Sequence, residues 1–320
     1  MKRLNKWSIT STLALSAVLL TACGDDDAEE NNTDNNNQEG ETQAETIQYE
    51  ALNGMQEIPA DPQRVVLLAD VYFGYLQELD IDVIATTDFV FQSPFLEEYT
   101  TGIENLGDAN AVAVEEILAL DPDLIIAYHS SEILEQLESI TTTVAVDYAS
   151  LGYKEQLEEF GTMFGREEQA QAWIDDWNAQ IDELKPAVQE AVGEQTISIL
   201  QPAESEIYLY GNGWGRGGEI LYQEFELNMP ESVEEAVDAE GFNNLSLEVV
   251  PEYAGDYILT APWTVNSDGS FLYESQIWNG LPAVEDDKIF EMDSIGYYFN
   301  DPLSIEQHLD EISTFLIENE

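Results

Sequence analysis

Cysteine occurs once in this 320-residue chain and histidine twice. A single thiol rules out an intramolecular disulfide and a thiolate metal cluster. Two imidazoles, His129 and His308, are too few for the multi-histidine cage of a bare zinc or manganese ion. Cations are scarce too: 9 Lys and Arg stand against 66 Asp and Glu, a formal charge of −57. So acidic a surface repels polyanions, which excludes nucleic acid as a main partner. Salt would screen its self-repulsion, in keeping with a saline or alkaline habitat. Carboxylate pairs lose their value as signs of catalysis here, because chance places many of them together. No nucleophile elbow and no His-Glu-x-x-His run occurs, so a two-carboxylate glycoside hydrolase is the enzyme class left open. Apolar residues are at an ordinary level, 44%, with 10% aromatics, enough for two lobes with separate cores.

The chain begins with three cations, Lys2, Arg3 and Lys6, followed by an apolar run from Ile9 to Leu20 and then Leu20-Thr21-Ala22-Cys23. The run is too short to span a bilayer, and small residues before a cysteine suit a lipoprotein signal peptide over 1–22, cut so that the Cys23 thiol carries the lipid. Residues 23–57 are expected to be a disordered acidic tether. Gly24 to Thr46 hold no aliphatic larger than alanine, too little apolar surface to offset the entropy of ordering. As a flexible coil that stretch spans about 25 Å.

From Arg64 onward short apolar runs alternate with helical patterns. Strands are predicted at 64–68, 83–85, 124–127 and 143–146, with helices at 72–79 and 114–120. The alternation resumes with strands at 196–200, 207–210, 257–260 and 289–292, and an amphipathic helix over 303–317 closes the chain. This is the pattern of α/β lobes with parallel sheets, one over 58–164 and one over 194–320. Between them, over 165–193, Ala170, Trp173, Ile174, Trp177, Ile181, Leu184, Val188 and Val192 recur every three or four positions. That spacing predicts a single helix roughly 40 Å long bridging two Rossmann-like lobes, kinked or broken at Pro186. A ligand cleft between the lobes, outside the carboxyl ends of the strands, follows from that arrangement.

One expected cleft loop is unusual. Tyr210 leads into Gly211-Asn212-Gly213-Trp214-Gly215-Arg216-Gly217-Gly218. The spacing Gly213-x-Gly215-x-x-Gly218 matches a dinucleotide fingerprint, but an exported protein rarely meets nicotinamide cofactors, and an acidic residue downstream carries no information in this chain. The glycines more plainly let the backbone bend while Trp214 and Arg216 project into the cleft. Arg216 is one of six cations after the signal peptide. A guanidinium beside an indole suits an oxygen-rich ligand with flat apolar parts.

The lipobox, the runs Ile58-Pro59-Ala60-Asp61-Pro62-Gln63-Arg64 and Leu120-Asp121-Pro122-Asp123-Leu124-Ile125-Ile126, and the long helix resemble the substrate-binding proteins of iron-siderophore ABC importers over residues 58–317. Trp214-Gly215-Arg216-Gly217-Gly218 is similar to the ferric-hydroxamate receptors of Gram-positive bacteria, in which this Trp and Arg touch the siderophore. The resemblance implies an extracytoplasmic, lipid-anchored monomer without a cofactor. It would bind a ferric hydroxamate and pass it to an ABC permease driven by its ATPase. It adds Trp263 and Tyr298 as cleft aromatics, beside Tyr210 and His129, which follow strands. It also implies that Glu115 and Glu248, one on each lobe, dock on the permease. Two other ligands stay open within the superfamily: haem, with His129 as axial ligand, and cobalamin.

Overall fold

The computed structural model describes residues 45–148, 150–237, 241–264 and 267–319; the signal peptide, Cys23 and the first part of the tether lie outside them. Two five-stranded sheets carry the architecture. In the first, β3 (Val65–Leu67), β4 (Val83–Thr86), β5 (Glu104–Asn105), β6 (Leu124–Tyr128) and β7 (Thr143–Val146) lie in the order β5-β4-β3-β6-β7, all parallel. The central strands are buried on both faces, as near-continuous runs of Val, Ile and Leu require.

The second sheet, ordered β10-β9-β8-β11-β12, combines β8 (Ile197–Ala203), β9 (Glu206–Tyr210), β10 (Phe242–Leu245), β11 (Tyr257–Thr260) and β12 (Ile289–Glu291). It corrects the expectation of a wholly parallel lobe. The strands β8, β11 and β12 are parallel, but β9 runs antiparallel to β8, and β10 antiparallel to β9. Glu204 and Ser205 alone join β8 to β9, and two residues can turn a hairpin but cannot hold a crossover helix.

The long helix spans Glu167–Val192, between Arg166 and Gly193, whose φ is positive at 61°. Of its eight periodic residues all but Leu184 are buried. Of the kink or break expected at Pro186, the break does not occur; the helix is continuous through it. Trp173 and Trp177, one turn apart, stack at 5.4 Å. Their indole N–H groups point to different elements, Trp173 to Glu306 of the C-terminal helix (Pro302–Glu318) at 2.8 Å and Trp177 to the Tyr153 hydroxyl at 2.6 Å. One apolar cluster includes residues of this helix and of both sheets, and a smaller one covers the opposite face of each sheet.

The tether also ends earlier than expected. Thr46–Ala51 (β1) and Gly54–Pro59 (β2) form an antiparallel hairpin. Ile47, Tyr49 and Ala51 alternate inward along β1, a period-two pattern too brief to stand out in a polar stretch. The Asn53 side chain at the tip accepts from Ala145 N at 3.0 Å and donates to Thr143 O at 2.9 Å, satisfying the open edge of β7.

Candidate functional site

The glycine-rich loop leaves β9 at Tyr210, which pairs with Ile199 toward the amino end of β8. Yet the Arg216 Nε donates to Gln201 Oε1 at 3.2 Å, near the carboxyl end of β8. The chain is turned back by four consecutive residues with positive φ: Trp214 (73°), Gly215 (72°), Arg216 (57°) and Gly217 (80°). Left-handed backbone costs a non-glycine residue roughly 1–2 kcal/mol, so Trp214 and Arg216 are held there by their surroundings. Arg216 N donates to Tyr297 O at 2.7 Å, and its Nη1 to Trp214 O at 2.6 Å. Gly215 N donates to the carboxylate of buried Glu219 at 3.0 Å, which also accepts from Asn300 Nδ2 at 3.0 Å. Burial favours the protonated form of Glu219; those two donors and the nearby Arg216 oppose it.

Arg216 is 4% exposed. Its guanidinium carbon lies 4.7 Å from the Tyr210 ring, 4.8 Å from Tyr298 and 5.5 Å from Trp263. Among the described residues the ion pairs are Lys154–Glu224, Arg166–Asp61 and Lys185–Glu226, and Arg216 is in none. In so acidic a chain that is informative. The aromatic faces and neutral acceptors fix the guanidinium in place, and the nearby carboxylate of Glu219 makes no direct ion pair with it.

Two cavities that share Tyr148 lie beside this loop; Trp214 lines one and Tyr298 the other, while Arg216, Tyr210 and Trp263 sit behind them and line neither. One, of 540 Å³, is bounded by Trp214, Glu219 and Asn300 from the C-terminal side and by Tyr72, Tyr148 and Tyr153 from the N-terminal side. The other, of 600 Å³, is walled by Asp70, Asp88, Phe89 and Tyr128 together with Tyr148 and Tyr298. Rings approach across the cleft: Tyr148 lies 5.1 Å from Trp214, and Phe89 lies 4.7 Å from Tyr298. Asp70 is 8% exposed and accepts from Thr87 Oγ1 at 2.6 Å and from the Tyr128 hydroxyl at 3.3 Å. Burial pushes its carboxyl above the usual range.

The structure thus brings Trp214, Arg216, Tyr210, Tyr298 and Trp263 together. Trp263 is 36% exposed and stacks on Tyr208 at 4.9 Å. His129 is exposed and lines neither cavity; its neighbour Tyr128 takes the inward position. His308 is buried in the C-terminal helix, stacked on Tyr297 at 4.0 Å, and burial lowers its pKa to about 3. No His or Met lines either cavity among the described residues. No group of three or more His, Cys, Asp and Glu among the described residues is placed to hold a metal ion. Glu115 and Glu248 are both exposed, each in the first turn of a helical segment, Val114–Ala119 and Leu247–Val249.

Sequence reasoning missed the N-terminal wall. Asp70 follows the end of β3, Phe89 that of β4 and Tyr148 that of β7, while Tyr128 ends β6. The carboxyl-end rule marks all four positions once it is applied to both lobes.

Comparison with known proteins agrees with this geometry. Over 276 residues the chain is 41% identical to the iron(3+)-hydroxamate-binding protein FhuD of Bacillus subtilis, covering 85% of this chain and 87% of that one. A crystal structure from B. subtilis, described as the periplasmic binding protein component of a ferrichrome ABC transporter, superposes with a TM-score of 0.80 at 39% identity, over 84% of this chain and 100% of that one. FhuD2 of Staphylococcus aureus with bound ferrioxamine B superposes with a TM-score of 0.75 at 30% identity, over 81% and 99%. The sequence profile of periplasmic binding proteins matches residues 65–295, and the chain belongs to that family.

Proposed function

We propose that this protein is the extracytoplasmic receptor for a ferric hydroxamate siderophore, which it binds in the cleft and delivers to an ABC permease and its ATPase. The observation that carries the reading is Arg216: a buried guanidinium, boxed by Tyr210, Tyr298 and Trp263 and in no ion pair among the described residues, set directly behind Trp214 and Tyr298, which line the two cavities of the cleft. A ferric hydroxamate offers oxygen atoms around the metal for the guanidinium and apolar linkers for the rings. The relatives support the same ligand class, since FhuD of B. subtilis is a hydroxamate-binding protein. Haem finds no His or Met ligand among the described residues lining the cavities.

Three further parts of the reading follow. The protein acts as a monomer tethered through lipid on Cys23, and Cys23→Ala should remove it from the membrane fraction. Exposed Glu115 and Glu248 dock on cationic pockets of the permease. Loss of the signal peptide takes the formal charge from −57 to −60, so neutral or cationic complexes are favoured over anionic triscatecholates. Titration of tryptophan fluorescence with ferric hydroxamates, a ferric triscatecholate, haem and cobalamin tests the reading. Quenching by a hydroxamate at sub-micromolar concentration is expected; tighter binding of the triscatecholate, or of haem, would overturn it.

A further inference from the structure

Tyr148 lines both cavities of the cleft, and its ring meets Trp214 from the opposite wall at 5.1 Å with the planes 50° apart. The two spaces on either side of it differ in chemistry. The 540 Å³ chamber beside Trp214 is walled by rings and by neutral polar groups such as Asn212, Gln223 and Asn300, with Glu219 engaged by Gly215 N and Asn300. The 600 Å³ chamber has four carboxylates, Asp70, Asp88, Asp108 and Asp147, and neither chamber has a Lys or Arg among its described lining residues. Phe89 and Tyr298 form part of the same wall, and aromatic faces attract a cation as the carboxylates do. Each space alone has the size of a ligand pocket, so a molecule that uses both must pass Tyr148.

We propose that Tyr148 is a specificity-determining residue of this cleft: it divides a chamber for the iron-hydroxamate core from a side chamber that takes a slender, positively charged arm of the same ligand. The inference rests on the ferric hydroxamate reading above. A compact cyclic complex fills the first chamber and gains nothing from the second. A linear complex ending in an ammonium places that group among the carboxylates, where one charge-assisted contact is the scale of roughly a tenfold change in affinity. A bulky arm is stopped at the ring of Tyr148.

Four probes test this by tryptophan quenching: ferrioxamine B, whose linear trihydroxamate ends in an ammonium, its N-acetyl and N-benzoyl forms, and cyclic ferrichrome. On the wild type, acetylation should weaken binding roughly tenfold, and benzoylation should weaken it further. Asp88→Asn with Asp108→Asn should erase the effect of acetylation. Tyr148→Ala should close the gap between the acetyl and benzoyl forms, whereas Tyr148→Phe, which keeps the ring, should preserve it. Equal affinity of the wild type for ferrioxamine B and its acetyl form, or an acetyl-to-benzoyl ratio untouched by Tyr148→Ala, would overturn the proposal while leaving the receptor reading intact. Failure of all four probes to quench would overturn the receptor reading itself.

Discussion

Replacing Arg216 with Met separates ligand binding from stability. Met fills similar volume, so the change removes the charge, two hydrogen bonds (to Gln201 Oε1 and Trp214 O) and three ring contacts. Hydrogen bonds to a charged group contribute about 1.5–3 kcal/mol each, and each ring contact about 0.5–1 kcal/mol. Against this stands the desolvation of a guanidinium with no ion-pair partner, which costs several kcal/mol. The two sides cancel to within a few kcal/mol, so Arg216→Met should shift stability by about 2 kcal/mol or less in either direction. For a protein of this size that is a change in Tm of about 3 °C or less. On the proposed reading affinity behaves differently, because the ligand loses a cationic donor: about 1.5–3 kcal/mol, a weakening of roughly ten- to a hundredfold. Arg216→Lys should fall between, since an ammonium keeps the charge but not the planar fork that reaches both acceptors while lying between rings. The assay is a thermal melt without ligand paired with a quenching titration. A collapse in Tm with ferric hydroxamate affinity unchanged would show that Arg216 only clamps its loop, and the reasoning would fail.

Three other outcomes are expected. Gly215→Ala places a Cβ 2.9 Å from the carbonyl oxygens of both Tyr297 and Tyr298 at a φ of +72°; ligand affinity should fall at least about tenfold, on the scale of that backbone strain, while Gly213→Ala, with nothing within 4 Å, should bind normally. Asp301 caps the C-terminal helix through Leu303 N and Ser304 N, and burial raises its carboxyl to about 6. Because the folded value lies above the unfolded one, its contribution favours the fold below about pH 4 and is lost as pH rises through about 6, by up to about 3 kcal/mol. Asn caps as well as Asp, so Asp301→Asn should gain on the wild type in denaturant melts as pH rises from 4 to 7, and an unchanged difference would refute this. Glu115→Ala combined with Glu248→Ala should abolish siderophore uptake by cells yet leave the affinity of the purified protein intact; an equal loss from the exposed control pair Glu97 and Glu206 would reduce both to ordinary surface acids.

How much of this was legible in the sequence follows from how strongly each element is patterned. The buried strands at 124–128, 143–146 and 257–260 read directly, because runs of Val, Ile, Leu and Ala have no other stable place. The long helix read to within a residue or two for the same reason. The strands β5, two residues long, and β10, Phe242-Asn243-Asn244-Leu245, carry no periodic signal and take their conformation from a neighbouring strand. In the site, the glycines marked the loop holding Trp214 and Arg216, and the resemblance supplied Trp263 and Tyr298. Nothing in the residues alone said that Arg216 would be boxed by rings, since Tyr210, Trp263 and Tyr298 lie on three separate segments. His129 illustrates the opposite error: along an extended strand adjacent side chains face opposite ways, so the inward position of Tyr128 sends its neighbour to solvent.

The charge of the protein acts on two length scales, and the cleft separates them. At physiological salt the screening length is about 8 Å, so most of the 66 carboxylates cannot reach a ligand already seated beside Arg216. Their collective field acts earlier, favouring the approach of neutral and cationic complexes and slowing anionic ones. On the proposed reading, a handful of groups that are close and poorly solvated decide affinity once the ligand is seated: the guanidinium of Arg216 in its ring box, Glu219 beneath the loop and Asp70 in the other cavity, each under 10% exposed. Raising salt should therefore slow association of a cationic ferric hydroxamate far more than it speeds its release. Substitution of Arg216 should do the reverse, speeding release with little effect on association.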